Sequence, residues 1–216
     1  MSRRLTLTRR VSAAWKAGGM AGLVRAALAR VADVRAMLLL AAPTASGHDP
    51  ATEVPFEWAS REVFERELAT PEWQFPSAVA ARARQWLARG DRCLVGRVEG
   101  RPATTLWVGT TIRELPGARC PIGRGRAYVY KTFTLPAFRG QGLNTAALRD
   151  VRRRCAEEGC DEVLIDVARS NTASRRAIER AGFAPVGRFL IVRIGRVRLS
   201  VMSPSVRHRI AGARRA

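Results

Sequence analysis

The segment Thr134–Asn144, reading TLPAFRGQGLN, constrains this chain more than any other. The run before it, Ala127–Leu135 (AYVYKTFTL), is rich in β-branched and aromatic residues and predicts a strand. The run after it, Leu143–Glu158, carries Leu143, Ala147, Val151 and Cys155 at helical spacing. A strand, a glycine turn and a helix start in that order make an anion site. The first N–H groups of the helix lack intrahelical partners, and the helix dipole favours negative charge there.

Downstream, Val163–Ala168 (VLIDVA) reads as a buried strand. The run Asn171–Phe183 then gives an Asn, a short helix and a closing Gly-Phe. Arg139, Gly142 and, imperfectly, Asn144 resemble the Gln/Arg-x-x-Gly-x-Gly/Ala acyl-CoA signature of the GNAT N-acetyltransferase superfamily. Asn171–Phe183 is similar to that family's second motif. The two occur in the right order, separated by one helix and one strand. The close resemblance covers about Arg126–Phe189, and a looser one extends from about Glu53 to Met202.

The resemblance implies an α/β (α+β) fold: a mixed, mostly antiparallel sheet of about seven strands flanked by helices. It also implies that the strands ending near Leu135 and starting near Val163 splay apart to admit coenzyme A. Acetyl-CoA is then the acyl donor and an amine the acceptor, with no metal. The chain order fits this topology. Glu53–Trp58 reads as a first strand, followed by helices at Arg61–Ala69 and Pro76–Arg89. Cys93–Val98 and Thr104–Gly109 form a hairpin, and Thr111–Arg126 reads as a loop. Gly187–Ile194 and Arg196–Met202 make a terminal hairpin turning at Gly195.

The site residues follow from the resemblance. Backbone N–H groups of Gly140, Gln141, Gly142, Leu143, Asn144 and Thr145 cradle the pyrophosphate, with Arg139 adding a charge-assisted contact. Asn144 stands where the family has a small residue. Amides of Phe133 and Thr134 polarise the thioester carbonyl. Asn171 contacts the pantetheine arm or N-caps its own helix. The family's usual Tyr, five residues before the Phe of Gly-Phe, is Ile178 here. Tyr128, Tyr130 and Ser174 are candidate substitutes for that acid, with buried packing the alternative for the two tyrosines, which share one strand face. Asp166, Glu114 and Glu57 are candidate bases, with a solvated surface acid as the plain alternative for Asp166. Trp58, Trp73 and Trp107 are candidates to line the acceptor site, against core packing for Trp107.

Charge bears on partners. Lys and Arg number 38 against 18 acids, a formal net charge of +20, and nearly all the cations are Arg. A high-GC bacterial genome gives that bias without functional meaning; an anionic membrane surface, nucleic acid or an anionic ligand are the functional readings. No recognition motif for nucleic acid is present. The four cysteines form no CxxC pair, and with two histidines near the ends a zinc site is not expected. Reduced thiols fit a cytoplasmic protein.

Residues 1–48 read as a basic amphipathic helical extension and linker, 49–203 as the acyltransferase domain, and 204–216 as a disordered basic tail. In the extension, Leu23, Val24, Ala27, Leu28, Val31, Val34, Leu38 and Leu39 recur at helical intervals. Such a helix can lie peripherally on an anionic membrane, dock on the domain, or act as a transit peptide. Two function classes stay open: an acyl-CoA-dependent N-acyltransferase, and a catalytically silent acyl-CoA-binding or anionic-surface-binding module.

Overall fold

The computed structural model describes residues 32–44, 54–69 and 77–211. The chain runs β1 (Ala32–Pro43), β2 (Phe56–Trp58) and α1, a helical turn Arg61–Val63 continued as a π-turn Phe64–Leu68. Next come α2 (Ser77–Ala88), β3 (Arg92–Val98), β4 (Arg101–Gly109), β5 (Ile112–Leu115), β6 (Ala118–Pro121) and β7 (Arg126–Thr134). The last part holds α3 (Leu143–Glu157), β8 (Glu162–Ala168), α4 (Thr172–Arg180), β9 (Ala184–Ile194), β10 (Val197–Met202) and α5 (Pro204–Ala211).

Eight strands form one sheet in the order β10-β9-β1-β8-β7-β4-β3-β2, and β5-β6 is a separate hairpin. Only β7 and β8 pair parallel; every other neighbouring pair is antiparallel. Helices α3 and α4 cover one face, burying Leu148, Val151 and Ile178 against Val129, Ile165 and Leu40. The opposite face carries two separate masses. Helices α1 and α2 bring Phe64, Leu68 and Trp86 onto Val95, Trp107 and Tyr130. The β5-β6 hairpin and α5 bring Leu115, Cys120, Val206 and Ile210 onto Leu39, Tyr128 and Phe189.

Three expectations change. Residues 32–43 are not helical: β1 lies between β8 and β9, pairing Leu40 with Ile165 and Leu38 with Arg188. Leu39 and Leu40 are fully buried on opposite faces. A strand covered on both sides loses its polar alternation, so its apolar run also fits helical spacing. The rest of the extension, residues 1–31, and the linker residues 45–53 lie outside the described residues. The Thr111–Arg126 loop contains a hairpin, turning at Gly117 with φ +66°. The tail is helical through Ala211, because Val206 and Ile210, one turn apart, are both buried.

Candidate active site

The site begins where β7 and β8 part. Their parallel register runs from Arg126 opposite Glu162 to Val129 opposite Ile165 and stops there. On its other side β7 keeps β4 as far as Thr134 opposite Thr104, through an irregularity between Thr105 and Trp107. Opposite Leu106, β7 holds two residues, Lys131 and Thr132, and Lys131 adopts φ +51°. This is a β-bulge, and the extra residue bends the strand and resets its alternation. Tyr130, Phe133 and Leu135 therefore pack in one cluster on one face.

Past the bulge, the Leu135 N–H donates to Ala103 O at 3.0 Å, on the β4 edge. Successive backbone N–H groups of a strand point to opposite edges. The Thr134 N–H thus faces the gap left by β8, and the Phe133 N–H faces β4. Of the two expected oxyanion donors, the register turns only Thr134 to the gap.

Parallel strands place both following helix starts at one end of the sheet. Gly140 and Gly142 take φ +83° and +76°, values open to glycine at little cost, and a Cβ at either would meet nothing within 4 Å. Gly142 is the N-cap of α3 and supplies no side-chain cap; its carbonyl accepts from Ala146 N. The amides of Leu143, Asn144 and Thr145 begin the helix and have no earlier turn to bond to. Thr145 Oγ1 donates to Ala177 O at 3.2 Å, tying α3 to α4. Arg139 Nε donates to Thr134 O at 3.2 Å, and its guanidinium lies 5.8 Å from the Phe133 ring centroid. Asn171 Oδ1 accepts the Ser174 N–H at 3.1 Å, so Asn171 caps α4. Ser174 sits in the first turn of α4, outside both tyrosine networks described next. Ile178 is 1% exposed in the core beneath α3.

Below the gap, two buried polar networks hold the face opposite α3. In the first, the Tyr128 hydroxyl donates to Asp166 Oδ1 at 2.9 Å, and Arg113 Nη2 and Nε donate to the same oxygen at 2.7 and 3.2 Å. The Arg113 guanidinium lies 5.1 Å from the Tyr128 ring centroid and 5.2 Å from that of Tyr130. In the second, the Tyr130 hydroxyl donates to Asp91 Oδ2, which also accepts from Arg89 Nε at 2.8 Å. Arg89 then reaches Glu114 Oε2 at 3.1 Å.

Burial, reinforced by the neighbouring Asp166, holds the Tyr128 hydroxyl well above the ordinary tyrosine value. Burial and the hydrogen bond to Asp91 do the same for Tyr130. For Arg113, desolvation opposes the charge, but the Asp166 carboxylate outweighs it and holds the guanidinium protonated. Both tyrosines are protonated donors already engaged by carboxylates. Asp166 is not a solvated surface acid: its side chain is 9% exposed and ion-paired. Glu57 pairs with Arg97 at 2.6 Å on the β2 side of the sheet, away from the gap. Trp107 is fully buried. Trp58 lies under Arg92 on the α3 side, and Trp73 falls outside the described residues. Arg113, Asp91 and Arg89 were absent from the sequence-derived site. Their partners lie up to 53 residues away, so no local pattern marks them.

Between the two masses on this face, a cleft of about 690 Å³ is lined by residues including Arg82, Glu114, Pro116, Arg119 and Arg198. Arg113 of β5 enters the Tyr128 network, and its neighbour Glu114 lines the cleft.

A mixed sheet whose one parallel pair stops short, followed by a glycine turn at the head of the next helix, is the architecture that positions the site. A family model described as the Acetyltransferase (GNAT) family matches residues 49–183, and the chain belongs to that family. No curated protein sequence matches it. A GNAT-family acetyltransferase structure from Novosphingobium aromaticivorans aligns with TM-score 0.50 at 21% identity, over 79% of this chain and 66% of that one. Another from Colwellia psychrerythraea aligns with TM-score 0.52 at 16% identity, over 84% of this chain and 63% of that one. The chain therefore spans just under two thirds of the length of these two relatives. The structure of AAC(6')-Iy in complex with the bisubstrate analogue CoA-S-monomethyl-acetylneamine aligns with TM-score 0.50 at 17% identity, over 62% of this chain and 92% of that one. At these identities the likeness is one of fold.

Proposed function

We propose that this protein transfers an acyl group, acetyl by default, from coenzyme A to the amine of an acceptor by direct attack on the thioester. The observation that carries this reading is the open turn Arg139–Gly142 heading α3 at the mouth of the β7–β8 gap. The pyrophosphate sits on the amides of Gly140 through Thr145, with Arg139 beside it. The thioester lies in the gap, its carbonyl oxygen toward the Thr134 N–H. The neutral amine attacks the carbonyl carbon, a C–N bond forms, the C–S bond breaks and the thiolate leaves. The amine's displaced proton travels through water to the thiolate, giving amide and free thiol.

Tyr128, Tyr130 and Asp166 are positioning residues in this reading, because each is already bound to a buried partner. Ile178, buried where the family has its acid, supports a leaving group protonated from water. It also supports a second reading, an acyl-CoA-binding protein without turnover. Calorimetric titration of acetyl-CoA into wild type and Gly142→Asp tests the donor site. The expected result is micromolar binding, lost in the variant, where a carboxylate faces the phosphates. Equal binding by both, or none by wild type, overturns the reading. Thiol release with amine acceptors separates transferase from silent binder.

A further inference from the structure

The cleft between the two masses has an unbalanced charge. Three arginines line it, Arg82 from α2, Arg119 from β6 and Arg198 from β10, against one acid, Glu114. Glu114 is already held by Arg89 at 3.1 Å and by Arg119 at 3.8 Å. Among the described residues, Arg82 and Arg198 have no ion-pair partner. About half of the described arginines do, as in Arg97 with Glu57 and Glu67, or Arg154 with Asp150. Lys131 sits at the bulge of β7: desolvation first, and then the charges of Arg113 and Arg82, pull its ammonium below the ordinary lysine value against the opposing charge of Asp166.

The cleft is built by packing. A Cβ on Gly117 would lie 2.8 Å from Leu199 Cδ2 and 3.2 Å from Arg198 O, so the hairpin turn is seated directly on β10. That contact carries Arg198 and Arg119 to one side of the cleft, while α2 carries Arg82 to the other.

Like charges converge without counter-ions where a ligand supplies the opposite charge. We infer that the acceptor is an amine that also carries an anionic group, phosphate or carboxylate, held by Arg82 and Arg198 with its amine directed to the gap. Guanidinium forks suit both oxyanions. A polycationic amine such as an aminoglycoside is repelled from the same cleft. This inference rests on the transferase reading, in which the cleft is the acceptor side of the gap.

The test is acceptor binding to full-length protein saturated with coenzyme A, which keeps phosphate off the α3 turn. Two matched pairs are titrated, glucosamine 6-phosphate against glucosamine and L-glutamate against L-glutamine, with kanamycin as the polycation. The anionic member of at least one pair is expected to bind about tenfold more tightly than its neutral partner, roughly one ion-pair's worth of free energy. Which pair discriminates tells phosphate from carboxylate. Arg82→Glu with Arg198→Glu is expected to abolish the preference, and the charge-matched Arg101→Glu with Arg180→Glu to retain it. No preference in wild type, binding of kanamycin in place of the anions, or equal loss in both double variants overturns the inference. Acetyl-CoA titration of the same proteins reports the donor site separately. Unchanged donor binding with no anion preference sinks the acceptor class alone; absent donor binding sinks the transferase reading.

Discussion

Tyr128 and Asp166 are joined by a 2.9 Å hydrogen bond across the last paired step of β7 and β8. Tyr128 is opposite Leu164, and Asp166 lies two residues further on, on the same face. The bond therefore spans the point where the strands begin to diverge. Arg113 completes it from the hairpin, so three segments distant in sequence meet at one carboxylate oxygen.

Removing that carboxylate leaves a buried guanidinium without its counter-ion. Asp166→Ala is expected to destabilise the fold by about 3 kcal/mol, within the usual cost of breaking a buried pair. Urea unfolding measures it. If Asp166 positions and does not take the substrate proton, acetyl-CoA affinity and the pH profile of kcat stay unchanged in the milder Asp166→Asn. A lost acidic limb in that profile would assign it as the base.

The chain contains two tyrosines, Tyr128 and Tyr130, so tyrosinate absorbance near 295 nm reads this site alone. Both hydroxyls are held above the ordinary value of 10.0, first by burial and then by a carboxylate. The folded state thus keeps its phenolic protons at pH values where the unfolded state has lost them. The stability this contributes is fully present below pH 10 and falls as pH rises beyond it. Titration should show no tyrosinate through pH 10, then a step coincident with unfolding by circular dichroism. Tyrosinate appearing at its ordinary value in folded protein would refute the buried networks.

The glycine turn before α3 was legible in the sequence because its geometry is local. Two glycines, a strand before and a helix after are adjacent in the chain, and the fold only has to align them. The same holds for Asn171, whose capping role needs three residues of context. The buried networks beneath the gap were not legible. Arg113 and Arg89 resemble any other arginine in a chain rich in them, and only tertiary packing distinguishes them. β1 was masked for a different reason: burial on both faces removes the polar alternation that marks a strand. The hairpin did leave a signal, Pro116-Gly117 between two four-residue strands, but those strands are too short for periodicity to count.

Gly109 stands over the second network. A Cβ there would lie 2.9 Å from Asp91 Oδ1 and 3.2 Å from its Cγ. Asp91 is 2% exposed and fixed by Arg89 and Tyr130, so it has little room to yield. Gly109→Ala is expected to cost about 2 kcal/mol through overpacking. The loss should appear as a lowered midpoint in urea at constant slope. A variant as stable as wild type would show that Asp91 moves freely, and the rigidity assigned to the network would fail.

The end of the chain gives the sharpest contrast with the sequence expectation of a disordered tail. Ile210 is fully buried and Val206 nearly so, both in the cluster that includes Tyr128 and Phe189. The Gly123 N–H donates to Ile210 O at 3.2 Å, and Arg209 pairs with Glu162 at the start of β8. Helix α5 thus closes the face on which the hairpin and its cleft depend. Ile210→Ala is expected to lower stability by about 3 kcal/mol, as for other large-to-small core changes. Arg207→Ala, at an exposed position of the same helix, is expected to change it by less than about 0.5 kcal/mol. Equal, negligible effects of both substitutions in urea unfolding would return this segment to the status of a tail.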